Sequence, residues 1–396
     1  MTITSGGVTN NSTSNQNLNV PVLLTTVGQT LDAAAGNLTL WQTVDNGGNL
    51  LTITDGGFNT TISNTVSGAG GLKMSGTGTA ALAGVNTYTG PTIISSGTLA
   101  VTGSGQLNSG AYANTITNNG TLNYNSSASQ TLSGVISGNG GLVVNNSGTL
   151  TLTAANIFTG NVTISNSTVV AATTVNVPAG TAGPLGNASI NTRTVTINNQ
   201  GILDLQINNV FGQLSGAGGA KNTNQPPIVI NGGLLQCEKD SDLIGLITLN
   251  GGTILANCAS GNINYRAAGY LNSYLSYQLG SNVLVTGTSP SFITNSQVNF
   301  STPQDGLSLN NVPTTFNVTN ASAILTVQAA IGDVNADYAP SANKAPGVLV
   351  KAGAGTMLLA GLNFYSGGTI VSAGTLVAGT TDNQALPAGG SAARCV

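Results

Sequence analysis

Three stretches of this chain say nearly the same thing. Residues 71–101 read GLKMSGTGTAALAGVNTYTGPTIISSGTLAV. Residues 141–170 read GLVVNNSGTLTLTAANIFTGNVTISNSTVV, and residues 348–378 read VLVKAGAGTMLLAGLNFYSGGTIVSAGTLVA. The copies align without a gap on Asn86, Asn156 and Asn363. Two residues on comes an aromatic (Tyr88, Phe158, Tyr365), and four residues on a glycine (Gly90, Gly160, Gly367). Gly71 and Gly141 open the first two copies. Gly97 and Leu99 of the first copy recur as Gly374 and Leu376 in the third, with Ser167 and Val169 at that place in the second. A unit of about thirty residues, built of short β-type runs separated by glycine, is the mark of a solenoid.

The same strand, tight turn, strand unit recurs outside the three copies, as in TITNNGTL from Thr115 and LITLNGGTIL from Leu246. Its strand halves alternate apolar and polar residues, the period of a half-buried strand. Asn and Gly at the corners tolerate positive φ. Copies fall roughly 20 to 30 residues apart, the length of one coil of a parallel β-helix. Each coil would bury Val, Ile and Leu inward and satisfy the backbone of the next at about 4.8 Å. At roughly 22 residues per coil, the chain predicts about sixteen to eighteen coils and a rod of order 80 Å. The fold expected is all-β, a single parallel β-helix (a β-solenoid) with loop excursions and terminal caps.

The chain divides on this reading into four parts. Residues 1–50, polar and weakly periodic, read as an N-terminal cap or arm. Residues 51–260 read as solenoid with three-strand coils. Residues 261–346 read as an irregular, tyrosine-containing insertion or continuation, and residues 347–396 as a final repeat with a tail. Pro- and Gly-containing stretches at 173–190 and 215–227 read as loops leaving the coil. Tyr270, Tyr274 and Tyr277 recur at helical spacing within 267–279, which predicts a short packed helix or, alternatively, an aromatic platform for a sugar or a receptor.

Composition excludes most chemistry. The chain has no His, 55 Gly and only 5% charged residues, yet 40% hydrophobic ones. Enough apolar content for a core argues against disorder. Without His there is no His-based triad or His metal site, and the cysteine spacing fits no zinc pattern. No metal and no cofactor is expected. Eight basic residues stand singly, so no nucleic-acid surface is expected. No run of eighteen apolar residues predicts a membrane-spanning helix. The opening MTITSGGVTNNSTSNQ is no secretory signal as it stands. Cys237 and Cys258 are spaced by close to the length of one coil, which fits either a disulfide between adjacent coils or two core thiols. Cys395 is an odd thiol near the tail. The one dense acidic spot holds Glu238, Asp240 and Asp242 around Lys239, with Asp204 earlier. Such a set could serve a polysaccharide lyase or hydrolase, but a solvated turn is the simpler account, so no enzyme is expected.

The string Gly-x-Leu…Gly-Thr…Leu-x-Gly-x-Asn-x-Tyr-x-Gly-x-Thr-x-Ile…Gly-Thr-Leu resembles the autotransporter-associated β-strand repeat of bacterial surface proteins. The first and third copies match closely. In the second, Ala154 replaces a glycine, Phe158 the tyrosine and Ser167 a glycine. The resemblance implies a right-handed parallel β-helix, extracellular and displayed on a bacterial surface, with no catalytic residues to carry over. The tail GGSAARCV does not look like a membrane-barrel strand. The function expected is a non-catalytic adhesin, stalk or coat of passenger type, with a glycan or a host or cell-surface ligand as partner. The rival readings are a subunit of an extracellular filament, self-associating through its coil ends, and the lyase or hydrolase above.

Overall fold

The computed structural model describes residues 1–172, 182–187, 192–207, 210, 225–237, 242–257, 277–295, 306–309, 313–335, 344–361, 363, 365–379 and 394–395. Apart from one 3-10 turn at Asn108–Gly110, the elements among these residues are β-strands, nearly all in parallel pairs. The chain forms two compact units, Met1–Val170 and Ala171–Val396. Each is a parallel β-helix, as the spacing of the strand units predicts.

In the first unit the chain visits three faces in turn. The first face stacks Thr2–Ile3, Val22–Leu24, Val44–Asp45 and Val66–Ser67, and in later coils a separate sheet of Ala111–Tyr112, Gln130–Leu132 and Thr149–Leu152 takes its turn in the winding. The second runs from Gly7–Thr9 to Ile136–Ser137, and the third from Gln16–Leu18 to Val162–Ile164. Thr2 pairs with Leu23, Val22 with Val44, and Val44 with Val66, so successive coils here have nearly equal lengths. Alternation supplies the core. In Leu38–Leu40 and Leu51–Ile53 the outer two residues are buried and the central Thr is half-buried. A tube this narrow is filled by its own inward side chains, so each coil is covered only by the coils above and below it.

The first fifty residues, read as a cap or an arm, are already wound into coils: Thr2–Ile3 pairs with Val22–Leu24, and Gln16–Leu18 with Leu38–Leu40. Their first strands are only two or three residues long, too short to show alternation within any one strand.

The second unit uses three faces as well. One stacks Val195–Ile197 through Thr369–Val371, a second Ile202–Leu205 through Thr375–Ala378, and a third Asp242–Ile244, Tyr277–Leu279, Gly306–Ser308 and Ala330–Gly332. Here coil length varies widely. Ile228 pairs with Ile247, but Ile247 pairs with Val283, so one coil takes nearly twice as much chain as the coil before it. The extra length falls in 258–276, 296–305 and 336–343, outside the described residues. The stretch read as irregular therefore contains regular coil strands whose spacing is hidden by long connections. Tyr277–Leu279, the end of the segment expected to be helical, is one of these strands. Among the described residues no helix is long and apolar enough to cross a membrane.

Candidate functional site

The three self-similar copies share one construction. In the first, Leu72–Met74 pairs with Thr92–Ile94 and Thr79–Leu82 with Thr98–Gly103. The repeat pairs with itself, its opening Leu72 lying directly beneath Thr92 of its second half. The second copy keeps the register, Leu142 on Val162, and so does the third, Leu349 on Thr369. Each repeat thus makes one coil and half of the next, and the Asn-x-aromatic segment forms the remaining side.

That segment stands where a strand would otherwise lie. After Val66–Ser67 the first face has no strand in the next coil. Asn86 to Gly90 takes its place, and Thr87 N–H and Thr89 N–H still donate to Val66 O (2.8 Å) and Gly68 O (3.1 Å). Asn86 itself is fully buried. Its Oδ1 accepts from Val66 N–H (2.9 Å), and its Nδ2 donates to Gly84 O (2.8 Å) and Gln106 O (3.0 Å). One side chain therefore satisfies the coil beneath, its own corner and the coil above. Asn156 Oδ1 accepts from Ile136 N–H (2.7 Å), and Asn363 Oδ1 accepts from Ile331 N–H (3.1 Å). Asn363 Nδ2 also donates to Gly361 O (3.0 Å), as Asn86 does to Gly84. All three are buried. A buried amide is tolerated because its donors and acceptor are spent on backbone.

The face so interrupted differs between copies. In the first unit, Asn86 follows the first-face strand Val66–Ser67, whereas Asn156 follows the second-face strand Ile136–Ser137. The repeat therefore fixes a local coil shape without regard to which side of the tube it falls on.

The aromatic two residues after the Asn points inward. Tyr88 is fully buried and meets Tyr112 edge-on, ring centroids 5.9 Å apart at 63°. Tyr88 Oη lies 2.8 Å from Thr92 Oγ1, which lies 2.8 Å from Tyr112 Oη, and Tyr112 donates to Gly90 O (2.7 Å). Each hydroxyl carries one hydrogen. Tyr112 spends its hydrogen on Gly90, so Thr92 donates to Tyr112 and Tyr88 donates to Thr92. Burial pushes the Tyr112 hydroxyl up to about 12 and that of Tyr88 further still, with Tyr112 adding to the rise at Tyr88. Neither ionises near neutral pH, so the chain of hydroxyls is a fixed brace. The third copy repeats the first link, Tyr365 Oη to Thr369 Oγ1 (2.6 Å). In the second copy, Phe158 and Val162 occupy both places. Tyr with Thr and Phe with Val exchange together, a covariation within one chain that the aligned copies display.

This pairing sets an expectation. Thr92→Val should lower stability by about 1–3 kcal/mol, the cost of leaving the buried Tyr88 hydroxyl without an acceptor. Tyr88→Phe with Thr92→Val, the natural pair of the second copy, should cost less than Thr92→Val alone. Urea unfolding followed by circular dichroism measures both; a double variant as damaged as the sum of its parts would refute the brace.

Glycines make the close approach between coils. A Cβ on Gly90 would lie 2.4 Å from the backbone carbon of Gly70, and one on Gly160 only 2.0 Å from Gly140 O. Gly97 and Gly374 hold φ of +67° and +71°. In the second copy Ser167 stands there, and the positive φ moves back one residue to Asn166 (+48°). Leu99 is fully buried, whereas Leu376 lies on the last described strand of its face.

The remaining predicted sites fare differently. Asp204 lies on Ile202–Leu205, nearly buried, and its Oδ2 accepts from Gln206 Nε2 (2.8 Å). Glu238, Lys239 and Asp240 lie outside the described residues, and of Asp242 only the backbone, in Asp242–Ile244, is described. Tyr270 and Tyr274 also lie outside. Tyr277 is a fully buried strand residue whose hydroxyl donates to Leu255 O (3.4 Å), so its ring is not on offer to a ligand. Cys237 faces inward on Leu234–Cys237, and its register partner on the next coil is Ala256. In the sequence Cys258 lies two places beyond Ala256. Cys258 itself lies outside the described residues, and Cys395 is placed by backbone alone, beside Val371.

Comparison with known proteins bears on the three copies. Residues 72–101, 142–171 and 349–378 match the family model for the passenger-associated-transport-repeat, found in autotransporter passenger domains. The matched segments are the self-pairing coils described above, and together they make less than a quarter of the chain. No curated protein and no solved structure matches the chain.

Proposed function

We propose that this chain is a non-catalytic passenger-type β-solenoid displayed outside a bacterial cell, where it acts as a stalk, coat or adhesin. The observation that carries the reading is the way the three passenger repeats spend their polar groups. Asn86, Asn156 and Asn363 turn their buried amide oxygens to backbone N–H groups. A repeat that closes its own coil in this way builds length without needing contacts from afar. Few charges and much Thr, Ser and Asn suit an outer surface that meets neutral partners such as glycans. The test is immunogold labelling of intact source cells with antibody to the purified chain. Gold on unbroken cells is expected; labelling that appears only after lysis overturns the reading. Release of reducing sugar from neutral or uronate glycans, abolished by Asp240→Ala, would overturn its non-catalytic part.

One observation favours a self-associating variant of this role. Thr98, Leu99, Ala100 and Val101 lie under the next coil, and all but Thr98 are buried. Their counterparts in the third copy, Thr375–Ala378, end their sheet among the described residues, with three of the four exposed. Such an edge presents unpaired backbone groups to another chain. Electron microscopy of the purified protein should then show end-to-end filaments; dispersed short particles at every concentration would exclude them.

A further inference from the structure

The fully buried side chain of Lys351 stands where the other two repeats carry apolar residues. Met74, Val144 and Lys351 align, each pointing inward from the first strand of its copy. Lys351 is enclosed in an otherwise apolar column, with Phe316 beneath it and Val371 above. Its three N–H groups are all spent: on Ala352 O (2.8 Å), Gly353 O (2.8 Å) and Ala373 O (3.0 Å). The first two carbonyls belong to its own turn, the third to the turn one coil higher.

The first repeat solves the same problem from the other side. There the carbonyls aligned with Ala352 and Gly353 are those of Ser75 and Gly76. They share the one hydroxyl hydrogen of Ser96 from the coil above, whose Oγ lies 3.0 and 2.8 Å away. Ser96 aligns with Ala373, which has no hydroxyl to give. Two positions have thus exchanged together: Met74 with Ser96 in one copy, Lys351 with Ala373 in another. The second copy uses neither device. Its turn is reshaped by positive φ at Asn146 and Ser147, and Ser147 N–H donates directly to Asn166 O in the coil above.

We propose that Lys351 is an interlayer clamp, its ammonium seating the Thr369–Ala378 coil on the coil below in place of the missing hydroxyl, and that Lys351 and Ala373 act as one unit. Burial lowers the affinity of Lys351 for its proton, so the charge carries a cost that Met at this place avoids. A lysine stem that merely filled the core would not need its three hydrogens aimed at two turns. The inference is independent of where the protein is displayed, since it concerns only how two coils of this chain hold together.

Hydrogen exchange read by mass spectrometry on peptides spanning Thr369–Ala378 tests it. Lys351→Met should speed exchange there by about tenfold, the order expected when buried carbonyls lose their donor. Adding Ala373→Ser to that variant recreates the first repeat and should restore exchange to within about twofold of the natural chain. Ala373→Ser alone should change little, because the carbonyls already have their donor. An unchanged rate in Lys351→Met, or no restoration by Ala373→Ser, overturns the proposal. Should Lys351→Met fail to fold, the clamp can be moved instead: Ser96→Ala should loosen Thr92–Val101, and Met74→Lys with Ser96→Ala should tighten it again. A transplanted lysine that leaves those amides as open as Ser96→Ala alone would equally overturn it.

Discussion

Asn86→Leu should destabilise the first unit by about 3–6 kcal/mol, because it removes three hydrogen bonds from one enclosed side chain. Leucine keeps the branched outline of the side chain, but its methyl groups are bulkier than the amide, so overpacking adds to the loss of the hydrogen bonds. Val66 N–H loses its acceptor, and Gly84 O and Gln106 O lose a donor. Val66 N–H alone is left unpaired, at about 1–3 kcal/mol. Gly84 O keeps the Gln106 N–H (3.2 Å) and Gln106 O keeps the Asn86 N–H (2.9 Å). Each of these therefore loses a second bond worth about 0.5–1.5 kcal/mol, and the three losses are not fully additive. Asn86→Asp separates the roles. The carboxyl keeps an acceptor for Val66 but offers no amide hydrogens to Gly84 and Gln106. Ionised, it would face two carbonyl oxygens without water, so its pKa in the folded chain should rise above the unfolded value of about 3.9. The folded state then holds its proton more tightly than the unfolded one, and stability falls as pH rises through that window. Asn86→Asp should therefore be closest to the natural chain below about pH 4 and furthest from it at neutrality. The chain has one tryptophan, Trp41, and it lies in the first unit, so its fluorescence during urea unfolding reads the unit concerned. A loss under about 1 kcal/mol for Asn86→Leu, or no pH dependence for Asn86→Asp beyond that of the natural chain, would show that water serves these groups instead.

The shared positions of the repeats explain why the coil was legible and its phase was not. Asn86, Tyr88, Gly90 and Leu99 recur because each touches backbone or core within its own coil or the coils beside it, and such needs leave a mark at fixed spacing. Which face the Asn segment interrupts depends on how many strands intervene, and coils of unequal length erase that count. Leu72 pairs with Thr92 and Thr92 with Ile116, and the second of these coils is the longer. The same irregularity sets Cys237 beside Ala256 through a coil shorter than the cysteine spacing. Tyr277 misled through a helical spacing with Tyr274, although an aromatic residue before Gln278 and Leu279 suits a buried strand equally well. The coupled exchanges at Thr92 and Val162, and at Met74 and Lys351, were present in the aligned copies. They lie at positions where the copies differ, and a reading that weighs agreement passes over them.

Gly367→Ala should cost about 3 kcal/mol, and Gly368→Ala next to it only about 1 kcal/mol. The neighbours differ in what a methyl group would meet. On Gly367 it would lie 2.6 Å from Gly347 O and 2.8 Å from both Gly347 C and Val348 Cγ2, and the first two are backbone that cannot swing aside. Gly368 has φ of +90° with open space around it, so alanine there meets only the strain of a left-handed backbone. Relief at Gly367 requires the coils to part, which lengthens the Gly367 N–H bond to Gly347 O, now 3.0 Å, and the strand pairs on either side of it. The same contact recurs as Gly90 on Gly70 and Gly160 on Gly140. In every pair the two glycines sit on successive coils, one directly over the other. A glycine at the fourth place after the Asn is therefore only half of the requirement, and the other half sits one coil earlier. Thermal unfolding followed by circular dichroism would measure both variants. Equal losses for Gly367→Ala and Gly368→Ala would mean that backbone freedom, and not the approach of coil to coil, is what the glycines supply.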